Sequence, residues 1–136
     1  KIKAMDLPGR WERIESATTV GTPDVNFCVN GSEGWIELKV GRKPARKTTK
    51  IFNSQRGLEQ EQVNWHYFQA KNGGISWIFV RLDGDFYAFP GVLAGEINGY
   101  TMVDMAFYRC EMAEFLEFLV KTPNLMMVRG EVISKN

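Results

Sequence analysis

The segment from residue 23 to residue 40 constrains the fold most, because it predicts two short strands joined by a tight turn. The strand-like runs PDVNFCV and GWIELKV are separated by NGSEG, which is a typical turn sequence. Side chains alternate between the faces of a strand, so this hairpin has an apolar face and a polar face. The polar face gathers Asp24, Glu37 and Lys39. The apolar face, which we expect to pack on a core, consists of Val25, Phe27, Val29, Ile36, Leu38 and Val40.

The segments on either side predict a mixed α/β fold. Residues 75–82 (ISWIFVRL) form a run too apolar to be half-exposed, so we expect a strand at the centre of the sheet. The other predicted elements are strands at 11–20 and 86–89, a helix at 58–71, a short helix at 92–97, an amphipathic helix at 111–121 and a late strand in GEVI. This order is typical of one sheet flanked by helices, in a single domain over residues 1–136.

Basic residues are concentrated in one part of the chain. The protein has 136 residues, 44% of them hydrophobic, and a net charge of +1. These values fit one core and exclude a uniformly basic protein or an acidic disordered chain. Six Lys or Arg residues and no acid lie from Arg42 to Arg56, which leaves 11 basic and 16 acidic residues elsewhere. Such a segment can bind phosphates; on charge alone, a solvated loop is the alternative.

Other classes of protein are excluded by what the sequence lacks. No run approaches 18 apolar residues, and the first ten residues lack the apolar stretch of a signal peptide. We therefore expect a cytoplasmic protein with no membrane partner. Cys28 and Cys110 are far apart and form no CxxC pair, so free thiols are expected. A single histidine, His66, argues against a zinc site and is expected to be packed or exposed without a catalytic role.

Asp24 and Glu37 are predicted on neighbouring strands and on the same face, so their carboxylates can converge on one hard cation. Mg²⁺ prefers oxygen ligands and keeps several waters, so two carboxylates and the backbone carbonyl of Leu38 suffice. Such a cation activates water and offsets charge on a phosphoryl oxygen, and Lys39 beside it can orient the water or stabilise the transition state. The combination predicts phosphodiester hydrolysis. The alternative is a surface ion pair between Lys39 and either carboxylate.

The stretch GTPDVNFCVNGSEGWIELKV resembles the core motif of the PD-(D/E)xK nuclease superfamily, including Gly21, which permits a tight approach before the PD pair. The following LEQEQVNWHYFQAKNGGISWIFVRL is similar to the helix and strand of virus-type replication-repair nucleases (VRR-NUC), which carry a motif glutamine early in the helix. The resemblance spans residues 12–82 and extends to small stand-alone phage nucleases related to Holliday junction resolvases. It implies a restriction-endonuclease-like α/β core with a mixed central β-sheet flanked by helices.

The resemblance also implies roles for individual residues. Asp24 and Glu37 match the metal ligands, and Lys39 matches the catalytic lysine. Gln62 matches the motif glutamine, which positions the lysine or the attacking water, and Gln60 is the competing register. Mg²⁺ is the implied cofactor, with Mn²⁺ as its substitute.

One feature of the superfamily is missing from its usual place. Many members carry a Glu on a helix well upstream of the PD pair, but here few residues precede Pro23 and they partly predict a strand. Glu15 is the best substitute for that acid, and Glu12 is second. Without it, chemistry with one metal ion, or an acid from a partner subunit, remains open.

The substrate implied by the resemblance is DNA, in particular branched or structured DNA, cut to leave a 5′-phosphate. We expect the basic segment to hold the phosphate backbone through Arg42, Lys43, Arg46, Lys47, Lys50 and Ser54. A two-fold homodimer would place two sites on two strands, as junction cleavage requires. Two alternatives stay open: a flap, end or duplex nuclease without junction preference, and a non-catalytic DNA-binding module on a nuclease-like fold. A phage-encoded chain would act in the host cytosol.

Overall fold

A computed structural model describes residues 9–14, 21–29, 31–53, 55–111, 113–115, 125–128 and 131–134, the last two ranges by their backbone. Its strands are β1 (Arg10–Arg13), β2 (Val25–Val29), β3 (Ser32–Gly41), β4 (Ile75–Leu82), β5 (Asp85–Pro90), β6 (Arg109–Cys110), β7 (Leu125–Val128) and β8 (Glu131–Ser134). Its helices are α1 (Gln60–Lys71), α2 (Ala94–Ile97) and α3 (Met102–Met105), with 3₁₀ turns at Gly91–Leu93 and Ala106–Tyr108.

Within the described chain, six strands form one mixed sheet in the order β1-β2-β3-β4-β5-β6. β3 and β4 are parallel, and the other neighbouring pairs are antiparallel. α1 lies in the connection between the two parallel strands, because a tight turn cannot join parallel neighbours. The predicted α/β fold, with a mixed central sheet flanked by helices, is confirmed.

The predicted hairpin is formed by β2 and β3, whose register pairs Val25 with Ile36 and Asn26 with Trp35. β3 continues to Gly41 after this pairing ends, and there it is bonded to β4 alone among the described strands. A gap therefore opens between the start of β2 and the second half of β3. Of the strand predicted at 11–20, β1 covers residues 11–13 and Ile14 lies beyond its end, while residues 15–20 lie outside the described part of the chain.

β4 is buried on both faces over most of its length, as predicted for a central strand. Its side chains divide the core into two clusters, one on each face of the sheet. The cluster on the α1 side includes Ile51, Leu58, Ile78, Val80, Leu82, Tyr87, Phe89, Leu93 and Ile97. The cluster on the opposite face includes Val25, Phe27, Ile36, Trp77, Phe79, Ala88 and Phe115.

α1 is a polar helix that is fixed at its start by a capping box. It begins at Gln60, two residues later than predicted, and Leu58 is buried in the preceding loop. The Glu59 side chain accepts from the backbone N–H of Gln62, and the Gln62 side chain accepts from the backbone N–H of Glu59. Within α1 itself, His66 is the fully buried residue. Polar contacts therefore fix the start of this helix, and His66 is the residue that it buries against the sheet.

The remaining predicted elements are present where the structure describes them. β5, the short helix at α2 and the late strand at β8 are confirmed. Of the helix predicted at 111–121, residues 113–115 are helical, while 112 and 116–121 lie outside the described residues. Cys28 and Cys110 are free, as predicted. Among the helices that the structure describes, none is long and apolar enough to cross a membrane.

Candidate functional site

The site is built in the gap where β2 and β3 separate. Asp24 lies immediately before β2, and its Oδ2 accepts a hydrogen bond of 2.9 Å from the backbone N–H of Leu38 across the gap. This N–H is available because the second half of β3 has no paired strand on that side among the described residues. The bond holds Asp24 beside Glu37, close enough for the two carboxyl groups to interact directly.

Glu37 is 2% exposed and lies on the face of β3 that α1 covers. Its Oε2 accepts a hydrogen bond of 3.1 Å from Nε2 of Gln62 and lies 3.8 Å from Nζ of Lys39. Its Oε1 is buried and has no hydrogen-bond partner in the described part of the protein. Leaving a buried carboxylate oxygen without a partner costs free energy, so this atom is the one open to a ligand.

The electrostatics of the pair favour an added positive charge. The pKa of Glu37 is raised to about 8, first by burial and then by the charge of Asp24, while Lys39 lowers this pKa by a smaller amount. One ammonium group does not neutralise two carboxylates. A divalent cation would stabilise the ionised forms of both.

The residues present fit such a cation. The unpartnered Glu37 Oε1 and the Asp24 carboxylate are hard oxygen donors, and the carbonyl of Leu38 projects from the same edge of β3 as its N–H. No group of three or more His, Cys, Asp or Glu that could hold a metal occurs in the described ranges. The remaining ligands would therefore be waters, which Mg²⁺ retains readily.

The polar face of the hairpin is covered, which the alternation of the sequence does not reveal. Trp35, two residues before Glu37, contacts Trp65 of α1 with ring centroids 5.4 Å apart. Gln62 reaches Glu37 from the same helix, whereas Gln60 bonds Asn64 on the exposed side. Of the two competing glutamines, Gln62 is thus the one that contacts the carboxylate.

Gly21 occupies the point where the chain passes the first turn of α1. Its φ is +87°, and a Cβ added there would lie 2.5 Å from the carbonyl oxygen of Glu61. The tight approach expected at this glycine is present, and the backbone of α1 is what the chain approaches. This contact brings the segment just before Asp24 against the helix that carries Gln62.

Glu59 is a third acid near the site that sequence analysis missed. The charge of Glu59 raises the pKa of Glu37. The pKa of Glu59 is itself lowered, mainly by Arg56 and to a smaller extent by Lys39. Its side chain is bonded to the guanidinium of Arg56. The spacing of Glu59 and Gln62 is that of a capping box, and this signal could have marked the start of α1 and the position of both residues.

Neither candidate for the upstream acid is shown in contact with Asp24 or Glu37 in the described residues, although Glu12 borders the same groove as Asp24. Glu12 lies on β1 with an exposed side chain and forms an ion pair with Arg10. Glu15, the preferred substitute, lies outside the described part of the chain. The role assigned to Glu15 stays a prediction.

The basic segment is an irregular loop tied down at both ends. Gln55 accepts from the N–H of Arg42 and donates to the carbonyls of Arg42 and Ile51. Lys43 is paired with Asp85 at 2.6 Å, so its charge is already partly neutralised. Four of the residues predicted to contact phosphate are exposed and form no ion pair with any described residue: Arg42, Arg46, Lys47 and Lys50. Ser54 lies outside the described residues.

His66 is packed against the sheet, away from solvent. Its Nδ1 lies 3.0 Å from Oγ of Ser76, and burial lowers its pKa to about 4. A Cβ at Gly91 would lie 1.9 Å from that Oγ, so only glycine fits there. The packing role expected for His66 agrees with this position.

Comparison with known proteins finds similarity among solved structures alone. No family model matches the chain, and no curated protein matches it either. Among solved structures, the chain is similar to Hjc, a Holliday junction resolvase from the archaeal hyperthermophile Archaeoglobus fulgidus. The TM-score is 0.39 and the identity 19%; the match covers 60% of this chain and 64% of that one. The chain thus spans less than two thirds of the length of this neighbour.

Proposed function

We propose that the protein is a Mg²⁺-dependent nuclease that hydrolyses phosphodiester bonds in DNA. The observation that carries the proposal is the buried, unpartnered Oε1 of Glu37, which lies next to a second carboxylate and an ammonium group. An ion pair made for stability alone would leave no buried oxygen open. The ion pair between Lys39 and Glu37 is present, and it accounts for only one of the two carboxylate oxygens.

Each residue of the site has a separate task in this proposal. Asp24, Glu37 and the carbonyl of Leu38 would hold the divalent cation, which supplies Lewis acidity toward a phosphoryl oxygen. Lys39 presents its ammonium beside Glu37, where it stabilises negative charge that develops on the phosphate. Gln62 donates to Oε2 of Glu37 and fixes the rotamer of that carboxylate.

We further propose that the substrate is branched or structured DNA, bound in part by the exposed cations of the basic loop. The support is the resemblance of residues 12–82 to VRR-NUC-type nucleases related to Holliday junction resolvases. Four loop cations that have no ion pair to a described residue add to it. Phosphate contacts of this kind give affinity that falls with salt and carry no base preference.

The test is cleavage of a labelled panel of DNA: a four-way junction, a flap, a duplex and a single strand. Each is incubated with Mg²⁺ or with EDTA, using the wild type, Lys39→Ala and the control Lys71→Ala, whose side chain lies on the exposed side of α1. We expect Mg²⁺-dependent cleavage that falls by about 100-fold or more in Lys39→Ala and is unchanged in the control. Absence of cleavage of every substrate, with Mg²⁺ and with Mn²⁺, would leave a non-catalytic binding module.

A further inference from the structure

A groove runs along the face of the sheet opposite α1 and reaches the proposed catalytic residues. Its volume is about 920 Å³, and Asp24, Leu38 and Lys39 line its inner end. The side chains of Leu38 and Phe79 are paired neighbours on this face. The groove is therefore continuous with the gap between β2 and β3, so a ligand in it would lie beside the site.

Aromatic rings form much of the groove lining. Phe79 and Phe86 stack with centroids 5.2 Å apart and planes within 4° of each other. Trp11 lies on the other side of the groove, against Phe27. Trp11 and Phe86 are half-buried, so part of each ring is open to a ligand.

Positive charge flanks this lining. Arg81 is exposed, borders the groove and forms no ion pair with any described residue. It is the sheet neighbour of both Phe86 and Val40, and Val40 is 72% exposed. Lys39 also lines the groove, but its ammonium is paired with Glu37 on the α1 side of the sheet, and the carboxylates of Glu12 and Asp24 border the groove as well. The groove thus presents aromatic and aliphatic surface beside an exposed arginine that can bind a phosphate.

This chemistry matches unpaired nucleotides better than a duplex. A duplex hides the faces of its bases within the stack, whereas a single strand exposes base faces to aromatic side chains and phosphates to arginine. A volume of about 920 Å³ is in the range of a pocket for a small ligand. We propose that this groove binds a single-stranded segment of DNA next to the scissile phosphate. The inference deepens the proposed function and rests on it for the position of that phosphate.

The test separates binding in the groove from catalysis. Fluorescence anisotropy with a labelled oligo-dT strand, in EDTA, compares the wild type with Arg81→Glu, Phe86→Leu and the matched control Lys71→Glu. Phe86→Leu keeps an apolar side chain against Phe79 and removes the aromatic ring, and urea denaturation of each variant checks that it stays folded. We expect each groove variant to weaken oligo-dT binding about tenfold or more, and the control to leave it unchanged.

Cleavage with Mg²⁺ completes the test, using a flap substrate and a plain duplex. We expect Arg81→Glu to reduce flap cleavage more than duplex cleavage. If the wild type cleaves DNA but both groove variants bind oligo-dT as tightly as the wild type, the proposed role of the groove is wrong and the nuclease proposal stands. Binding that depends on the groove without any cleavage would overturn the nuclease alone. If Arg81→Glu changes the oligomeric state and leaves oligo-dT affinity unchanged, the groove is a contact between copies of the chain and the inference is wrong.

Discussion

Gln62 serves two partners with one side-chain amide. Its Oε1 accepts from the backbone of Glu59 at 2.9 Å, and its Nε2 donates to Glu37 at 3.1 Å. The same side chain therefore caps α1 and orients the buried carboxylate. Gln60, two positions earlier, is exposed and bonds Asn64. The two glutamines form a natural pair of variants on one helix.

Replacing Gln62 should affect the proposed chemistry, whereas replacing Gln60 should not. In Gln62→Ala the Glu37 carboxylate loses the amide that donates a hydrogen bond to its Oε2, so the rotamer of Glu37 is less well defined. We expect DNA cleavage to fall about 10- to 100-fold, with a higher Mg²⁺ concentration needed for half-maximal rate. Mg²⁺ titrations of the cleavage rate measure both quantities. Equal effects of Gln62→Ala and Gln60→Ala would contradict a positioning role.

Gly21 combines two constraints that can be measured separately. Gly31 has nearly the same backbone conformation, with a φ of +81°, but a Cβ there meets nothing within 4 Å. Both Gly→Ala changes carry the cost of a positive φ, and only Gly21→Ala adds the collision with α1. We expect Gly21→Ala to lower the free energy of unfolding by at least ~1 kcal/mol more than Gly31→Ala, measured by urea denaturation. Similar losses in the two variants would show that α1 moves aside.

At the scale of elements, the basic loop divides into cations that are already paired and cations that are open. Lys43 is held by Asp85, while Lys47 is exposed without an ion pair to a described residue. An open cation that binds phosphate releases about one counterion, whereas a paired one must first break its ion pair.

Lys47→Ala should therefore change the salt dependence of DNA binding more than Lys43→Ala does. For Lys47→Ala we expect the slope of log K against log salt concentration to become shallower by about 0.9, the value for one phosphate contact on duplex DNA. For Lys43→Ala we expect a smaller change. Anisotropy titrations at several salt concentrations give the slopes. A larger change in Lys43→Ala would mean that DNA displaces Asp85 from that lysine.

The elements differ in how far the sequence predicts them. The hairpin faces and the central strand β4 follow from local alternation and apolar runs, so both could be predicted. The covering of Glu37 could not, because it depends on a helix more than twenty residues further along whose own residues are mostly polar. The interaction of Glu59 with the site has the same origin. Such contacts between distant polar residues leave no periodic pattern in the sequence.

For the whole molecule, two buried ionisable residues give stability opposite dependences on pH. The pKa of Glu37 is about 8 in the folded protein against an ordinary value of 4.5, so between these values the folded state holds a proton that the unfolded state has lost. Stability then falls as pH rises. The pKa of His66 is about 4 against 6.5, so between these values the unfolded state holds the extra proton and stability rises with pH. The two effects oppose each other from about pH 4.5 to pH 6.5.

Above pH 6.5 the effect of Glu37 acts without that of His66, and the metal-free protein should lose stability up to about pH 8. One pKa unit corresponds to about 1.4 kcal/mol, so the loss over this window is at most about 2 kcal/mol. Urea denaturation in EDTA at several pH values measures it. Glu37→Gln should flatten this part of the profile, while Glu33→Gln, an exposed acid on the same strand, should leave it intact. Saturating Mg²⁺ should also remove the loss, because a cation held by the ionised carboxylate stabilises the folded state increasingly as pH rises. If the free energy of unfolding of Glu37→Gln still falls between pH 6.5 and pH 8, another group is responsible for the pH dependence. The electrostatic argument for a cation at Asp24 and Glu37 would then be lost.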